Sequence, residues 1–377
     1  MAWEWWLVLL ISTALFAIVM IMWHRTWVVS HRSALGRGPN RPALPAAQAE
    51  AATPVTPKQN VALVVNPIKS GAEDFIVQLI TLCRSNNFSP PKVYETTVEN
   101  PGAKQAMTAI AEGADVVIAA GGDGTVRSVA TAMVHTGVPM AIIPLGTGNL
   151  LARNLDFPIS SMDKLINIAV FGNNTPIDVG WVQITPEGEK ETSGANPSKW
   201  DPQLFTVIIG VGFDAALVQD TEDKLKRRIG WLAYFMAAAQ NLYYDLVKAT
   251  VTIDEFAPSV IEARTIMVGN CGKLPGGVTL LPNAKLDDGM LDLAAVDTKA
   301  GLTGWAGLFG TVVLQGAGIH SDNYPKTGEI QFAQAEHVRV EMDRPAHAQI
   351  DGDPIGMAEI LDAWVDKGAL LVRTPPA

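Results

Sequence analysis

Between residues 61 and 146 the chain alternates short apolar runs with stretches of helical spacing. The apolar runs VALVV, KVYETT, DVVIAA and MAIIPLG have the length of strands, and apolar residues recur every three to four positions in the segments between them. Strands that alternate with helices predict a parallel sheet with helices on both faces. We therefore expect a Rossmann-like α/β domain over residues 60–175, with its ligand at the carboxyl ends of the strands.

Glycine-bearing turns follow three of these strands, with the sequences NPIKSG, GGDGT and PLGTGN. Gly121, Gly122 and Gly124 carry no Cβ and accept positive φ, so backbone amides can approach a bound oxyanion. A helix that begins near Thr125 adds unpaired N–H groups at its positive end. The turns predict a phosphate site, although an ordinary strand-to-helix turn can use the same letters. Asp123 beside a phosphate requires a cation between the two charges, or a hydroxyl that donates to the carboxylate.

From about residue 176 the pattern changes to short β-rich runs separated by turns. This pattern predicts antiparallel sheets packed as a β-sandwich over residues 176–367, and the polar insert 186–203 has the character of a long hairpin loop. Two acidic stretches lie in this half, PNAKLDDGMLDL (282–293) and QIDGDP (349–354). Each is consistent with a surface Asp-Gly turn. Together with Asp123 they offer the oxygen ligands that Mg²⁺ needs to bridge to ATP phosphates.

The N-terminal residues 5–23 carry no charge and have tryptophans at both ends. About 20 helical residues cross a bilayer core of ~30 Å, so this segment predicts a transmembrane anchor rather than a cleaved signal peptide. Residues 24–59 lack apolar periodicity and are expected to form an extended linker. Arginines follow the apolar segment and none precedes it. This asymmetry favours a single-pass inner-membrane protein with its globular body in the cytoplasm.

The composition limits the classes of partner. A net charge of −10 argues against nucleic acid, whose phosphates recruit basic surfaces. The two cysteines and six histidines stand in no metal-ligand spacing. The sequence therefore argues against a zinc site and against a disulfide framework.

An ordered set of motifs resembles the diacylglycerol kinase catalytic family: VVNPIKSG, GGDGTV, PLGTGNLLARNL, GVGFDA, PNAKLDDGMLDL and IDGD. The resemblance extends from about Val61 to the C-terminus. It implies ATP and Mg²⁺ in a cleft between an α/β domain and a β-sandwich, with a C-terminal strand at about 368–374 returning to the first domain. The GGDGT motif alone is shared with NAD kinases and phosphofructokinases.

The resemblance also implies roles for individual residues. Asp123 would act near the reacting phosphate, and Asp351 or its neighbour Asp353 would take the proton from the acceptor hydroxyl. The residues that would bind ATP come from the glycine-bearing turns and from the end of the second strand: Asn66, Pro67, Ser70, Gly71, Thr96, Gly121, Gly122, Asp123, Gly124, Thr125, Arg127, Gly146, Thr147, Gly148 and Asn149. A structural magnesium would be held by Asp288 and by the main-chain carbonyls of Lys285 and Met290.

Two positions depart from the family pattern. Arg127 stands where the family commonly has asparagine, and the usual late Asp-Gly-Glu is here Asp-Gly-Asp, with Asp353 one methylene shorter. Arg127 could add positive charge near the phosphates, since no P-loop lysine is present.

The sequence thus predicts a kinase that transfers the γ-phosphoryl group of MgATP to a hydroxyl of a membrane lipid, such as diacylglycerol, ceramide or a sphingoid base. Two alternatives stay open: an NAD kinase-like enzyme with a soluble substrate, and a membrane-tethered nucleotide or lipid binder without turnover. Association into a homodimer is also open.

Overall fold

The computed structural model describes residues 59–188, 201–212, 246–274, 279–297 and 329–376. The apolar segment 5–23 and nearly all of the linker lie outside them. Within the described ranges no helix is long and apolar enough to cross a bilayer. The longest helix there has 14 residues, or about 21 Å at 1.5 Å per residue, well short of a hydrocarbon core. This finding contradicts the predicted location as a single-pass inner-membrane protein, and we withdraw that prediction.

The first half is a parallel sheet with the strand order β4-β3-β1-β2 and helices in its connections. The two central strands are buried along their whole length, as expected for a sheet covered on both faces. The elements agree with the alternation read from the sequence. They are β1 (Val61–Val65), α1 (Ala72–Ser85), β2 (Lys92–Glu95), α2 (Ala103–Ala111), β3 (Val116–Gly121), α3 (Asp123–Met133), β4 (Met140–Pro144), α4 (Leu150–Asn154) and α5 (Met162–Phe171).

The second half consists of antiparallel strands around a core of its own. Buried residues of all ten of these strands, for example Val182, Ile209, Val251, Leu293 and Leu361, belong to a single apolar cluster. The strands therefore wrap around one core, as the predicted β-sandwich requires. They are β5 (Asn173–Pro186), β6 (Gln203–Phe205), β7 (Ile208–Gly212), β8 (Val247–Ile253), β9 (Ser259–Ala263), β10 (Thr265–Gly269), β11 (Leu291–Asp297), β12 (Glu329–Ala335), β13 (His337–Ile350) and β14 (Asp353–Thr374).

Strand β14 belongs to both halves. Its 22 residues pair antiparallel with β13 and β5, and near its end Val372 pairs parallel with Met140 of β4. The register with β5 shifts between Asp366 and Leu370, and Gly368 within that interval has φ +60°. Such a bulge lets a strand bend from one half toward the other. All described strands consequently form one continuous 14-stranded sheet, whereas the sequence suggested separate sheets.

A glycine on β5 makes room for a buried aromatic ring. Gly180 pairs with Phe205 of β6, and a Cβ at position 180 would lie only 2.0 Å from Phe205 Cζ. Phe205 is fully buried and belongs to the core of the second half. The ring therefore lies over the glycine, and any side chain there would displace it.

We expect Gly180→Ala to lower the free energy of unfolding by about 1–3 kcal/mol, because the added methyl group overpacks a filled core. Urea denaturation of the variant and the wild type measures this. Gln183→Ala serves as the control, since Gln183 is exposed on the same strand and its truncation should change stability by less than about 0.5 kcal/mol. Equal stability of Gly180→Ala and the wild type would contradict the packing described here.

Candidate active site

The turns that follow the parallel strands meet at one edge of the sheet. The Asn66 amide donates to the Ala120 carbonyl at 2.9 Å, and the Leu145 amide donates to the Gly121 carbonyl at 2.8 Å. Thr96 follows β2 at the same edge and is buried. The structure therefore brings the residues predicted to bind ATP to a common edge, at the carboxyl ends of β1 to β4.

Glycines allow two of these turns to touch. A Cβ at Gly146 would lie 2.7 Å from the Gly122 Cα atom, so the turns after β3 and β4 are in backbone contact. A Cβ at Gly148 would lie 2.6 Å from Asp123 Oδ2. Any side chain at either position would force the turns apart. The glycines at 146 and 148 therefore serve the packing of turn against turn.

Asp123 is the first residue of α3, and its carboxylate binds the turn after β4. Oδ2 accepts a hydrogen bond from the Asn149 amide at 2.9 Å and Oδ1 accepts one from the Leu150 amide at 2.6 Å. Burial raises the pKa of the Asp123 carboxyl and the negative charge of Asp351 adds to the rise, while the two amide hydrogen bonds oppose it. The aspartate in a phosphate-type turn thus has backbone amides as its partners, which explains how the negative charge is tolerated there.

Asp351 and Gly352 form the two-residue turn between β13 and β14. Both have positive φ, +49° and +85°, as in the type I′ turn that Asp-Gly favours. The Asp351 side chain points inward and the residue is only 5% exposed. Its oxygens accept four hydrogen bonds of 2.9–3.1 Å, from the amides of Thr206, Val207 and Ile208 and from the Thr206 hydroxyl. A carboxylate has about four acceptor sites, so Asp351 is fully hydrogen-bonded.

Arg127 and Asp353 form an ion pair between α3 and the β13–β14 hairpin. Arg127 Nη2 lies 2.7 Å from Asp353 Oδ2, and Arg127 Nη1 donates to the Ile350 carbonyl at 2.6 Å. A Cβ at Gly124 would lie 3.5 Å from Asp353 Oδ2, so Asp353 lies over the first turn of α3. The two positions that depart from the family pattern are therefore in direct contact.

Lys69 lies in the turn after β1, inside the NPIKSG motif that the family resemblance expects to line the nucleotide. A Cβ at Gly122 would lie 3.7 Å from Lys69 Nζ, so the ammonium group lies above the GGDGT turn. Lys69 makes no ion pair with the described part of the chain. The only sign in the sequence of a functional role for Lys69 was its position inside the NPIKSG motif. A single lysine in a loop is usually a solvated surface charge.

The loop predicted to hold magnesium is fixed by a buried aspartate of β5. Asp178 is 3% exposed, and its Oδ2 accepts a hydrogen bond from the Gly289 amide at 2.7 Å. Asp288 Oδ1 accepts one from the Met290 amide at 3.1 Å. No group of three or more His, Cys, Asp or Glu residues in the described ranges could hold a metal. The proposed set of Asp288 with the carbonyls of Lys285 and Met290 contains a single carboxylate, so it stays a prediction.

The family model for the diacylglycerol kinase catalytic domain matches residues 60–182, and the model for the YegS C-terminal NAD kinase beta sandwich-like domain matches residues 207–372. The chain belongs to the diacylglycerol kinase catalytic family. The resemblance inferred from the motifs is confirmed. Because the family consists of kinases, the protein is a phosphotransferase.

Relatives agree with this assignment, and a solved structure shares the fold. A diacylglycerol kinase of Mycobacterium tuberculosis is 29% identical over 234 residues, 62% of this chain and 69% of that relative. A "Probable lipid kinase YegS-like" of Enterobacter sp. is 26% identical over 315 residues, 82% of this chain and 94% of the relative. The crystal structure of a diacylglycerol kinase from Bacillus anthracis superposes with a TM-score of 0.58 at 19% identity, covering 84% and 97% of the two chains. That structure supports the α/β plus β-sandwich fold of the kinase.

We expect Asp123→Asn to lower phosphoryl transfer by at least about 10²-fold. The amide group has no charge and only one acceptor oxygen, so it cannot serve both Asn149 and Leu150. A radiolabel-transfer assay and a thermal melt measure the two effects, and the melting temperature should stay within about 5 °C of the wild type.

Asp163→Asn is the matched control, because Asp163 lies in the first turn of α5 and is exposed. It should transfer phosphate at the wild-type rate. Near-normal turnover of Asp123→Asn would mean that Asp123 only joins two turns.

Proposed function

We propose that the protein transfers the γ-phosphoryl group of ATP to a hydroxyl of a membrane lipid, with diacylglycerol as the first candidate. The observation that carries the proposal is the meeting of the glycine-bearing turns, the half-buried Asp123 and the Asp351 turn at one edge of the sheet. The names of the relatives supply the lipid class, since they include diacylglycerol kinases and a lipid kinase.

The residues at this edge have the chemistry that ATP requires. Gly122 leaves the backbone of the turn open, since the atoms nearest to a Cβ there would be 3.7 Å away, and the first-turn amides of α3 have no partners inside the helix. Lys69 brings a cation to the same turn without engaging another charge of the described chain. When bound with ATP, Mg²⁺ would neutralise phosphate charge and orient the phosphates. We infer that Lys69 binds phosphate oxygens of the nucleotide.

We propose Asp123 as the group that takes the proton of the acceptor hydroxyl. Its carboxylate accepts only two inter-turn hydrogen bonds, so acceptor positions remain, whereas those of Asp351 are filled. The raised pKa of the Asp123 carboxyl also suits a base that must hold a proton during transfer. In this step the hydroxyl oxygen bonds to the γ-phosphorus, its proton passes to Asp123, and the bond to the bridging oxygen of ADP breaks.

Labelled ATP and Mg²⁺ offered with different acceptors test the proposal. Purified protein receives diacylglycerol, ceramide or sphingosine in mixed micelles, or NAD in solution. We expect label in the diacylglycerol fraction. Label in NAD alone would replace the proposal with an NAD kinase activity, and nucleotide binding without transfer to any acceptor would identify a binder.

Lys69→Met should raise the KM for ATP about 10- to 100-fold, because a hydrogen bond to a charged phosphate is worth about 1.5–3 kcal/mol. Steady-state kinetics against ATP concentration measure this. Lys92→Met is the control, since Lys92 pairs with Glu112 at an exposed site on β2. An unchanged KM in Lys69→Met would assign the phosphate contact to another group.

A further inference from the structure

The Arg127 guanidinium contacts both sides of the turn that carries Asp351. It donates to the carbonyl of Ile350, which precedes Asp351, and to the carboxylate of Asp353, which follows Gly352. The contacting residues are 223 and 226 positions away from Arg127 in the sequence. A single side chain of α3 therefore attaches the hairpin turn of the second half to the first half.

Arg127 also stands in a fixed relation to Asp123. The two residues are four positions apart on α3, so they lie on the same face of the helix. The helix thus fixes the position of Asp123, and the Arg127 guanidinium fixes the position of the turn that contains Asp351. A Cβ at Gly124, the residue after Asp123, would lie 3.5 Å from Asp353 Oδ2, so the turn lies beside the start of α3, and the negative charge of Asp351 adds to the rise in the pKa of Asp123.

The geometry of the pair favours a rigid connection. The Arg127 side chain is 21% exposed, whereas that of Asp353 is 56% exposed. Solvent weakens the charge attraction at a half-exposed carboxylate, so the energy of the ion pair alone is small. The planar guanidinium nevertheless makes two directed bonds, which restrict the orientation of the turn more than one bond would. The contacts of Arg127 therefore contribute mainly to the orientation of the turn and little to stability.

We propose that Arg127 is a positioning residue, which holds the Asp351 turn against Asp123, and that it is not a phosphate ligand. The proposal rests on the proposed function and refines it. Two of the guanidinium's donors are engaged across the halves, and Lys69 supplies a cation that no other described charge engages. The arginine at 127 and the shorter carboxylate at 353 are, on this view, two parts of one connection.

Arg127→Met and Asp353→Asn, alone and combined, test the proposal. We expect each variant to lower kcat about tenfold or more, because small displacements of reacting groups are costly, with the KM for ATP within about twofold of the wild type. The double variant should be no slower than the worse single variant, since both remove the same connection. Arg127→Lys should recover kcat only in part, because lysine lacks the planar fork.

A different set of kinetic results would identify Arg127 as a phosphate ligand. A phosphate ligand at position 127 would give a KM for ATP raised at least tenfold in Arg127→Met, normal in Asp353→Asn and largely restored in Arg127→Lys. That pattern would overturn the proposal. Lys248→Met is the control, because Lys248 pairs with Asp343 of β13 away from the turn, and it should leave all parameters unchanged.

Two measurements that need no acceptor keep this inference separate from the proposed function. Hydrogen–deuterium exchange should rise at residues 206–208 and 349–353 in Arg127→Met and Asp353→Asn, because the Thr206, Val207 and Ile208 amides bond to Asp351. ATP affinity measured by calorimetry should stay at the wild-type value. Unchanged exchange together with weakened ATP binding in Arg127→Met alone would refute the positioning role even if no lipid is phosphorylated.

Discussion

The hydrogen bonds of strand β14 join the two halves of the molecule into one continuous sheet. The strand pairs with β13 and β5 of the second half and reaches β4 of the first half at Val372. A further bond runs from the His135 amide, just beyond α3, to the Ala369 carbonyl. Because Asp353 begins this strand, the register of β14 fixes where the Asp351 turn lies relative to the sheet edge. The site is therefore positioned by strand pairing as well as by its own contacts.

Carboxylates are used repeatedly to tie one loop to another. Asp123 accepts amides of the turn after β4, Asp351 accepts amides at the start of β7, and Asp178 accepts amides of the 285–290 loop and of β14. Each charge is compensated by backbone N–H groups rather than by a basic side chain. Such bonds are directional and strong in a low-dielectric setting, so they specify the positions of the turns. Placing acidic groups this way also leaves basic side chains available for a ligand.

The sequence predicted those features that depend on local pattern. Alternation between apolar runs and helical spacing identified the parallel half, and the motif order identified the family. The positions of Asp123 and Asp351 at turns could also be read, because glycines mark such turns. Their bonding partners could not be read, since Asp351 bonds to residues more than 140 positions earlier in the chain. The contact between Arg127 and Asp353 could not be predicted for the same reason, since the two residues are 226 positions apart in the sequence.

Two further features of the structure differ from what the sequence predicts, and both differences have physical causes. The returning strand was expected only over 368–374, because the bulge near Gly368 interrupts the alternation that marks a strand. The structure continues it back to Asp353. Hydropathy near the N-terminus suggested a membrane location, but the helices of the described body are short pieces that cover a sheet. Local hydropathy reports on one segment and says little about the remainder.

The pairing of β14 with β4 has a consequence for how the protein is made. Translation delivers β1 to β4 long before β14, and the edge of β4 cannot receive its neighbour until the ribosome has passed Val372. Until then an open strand edge stays available to other chains, a recognised hazard for nascent proteins. Completion of the nucleotide-side sheet therefore waits for a segment far beyond β4 in the chain, and folding dominated by such distant pairings is expected to be slow.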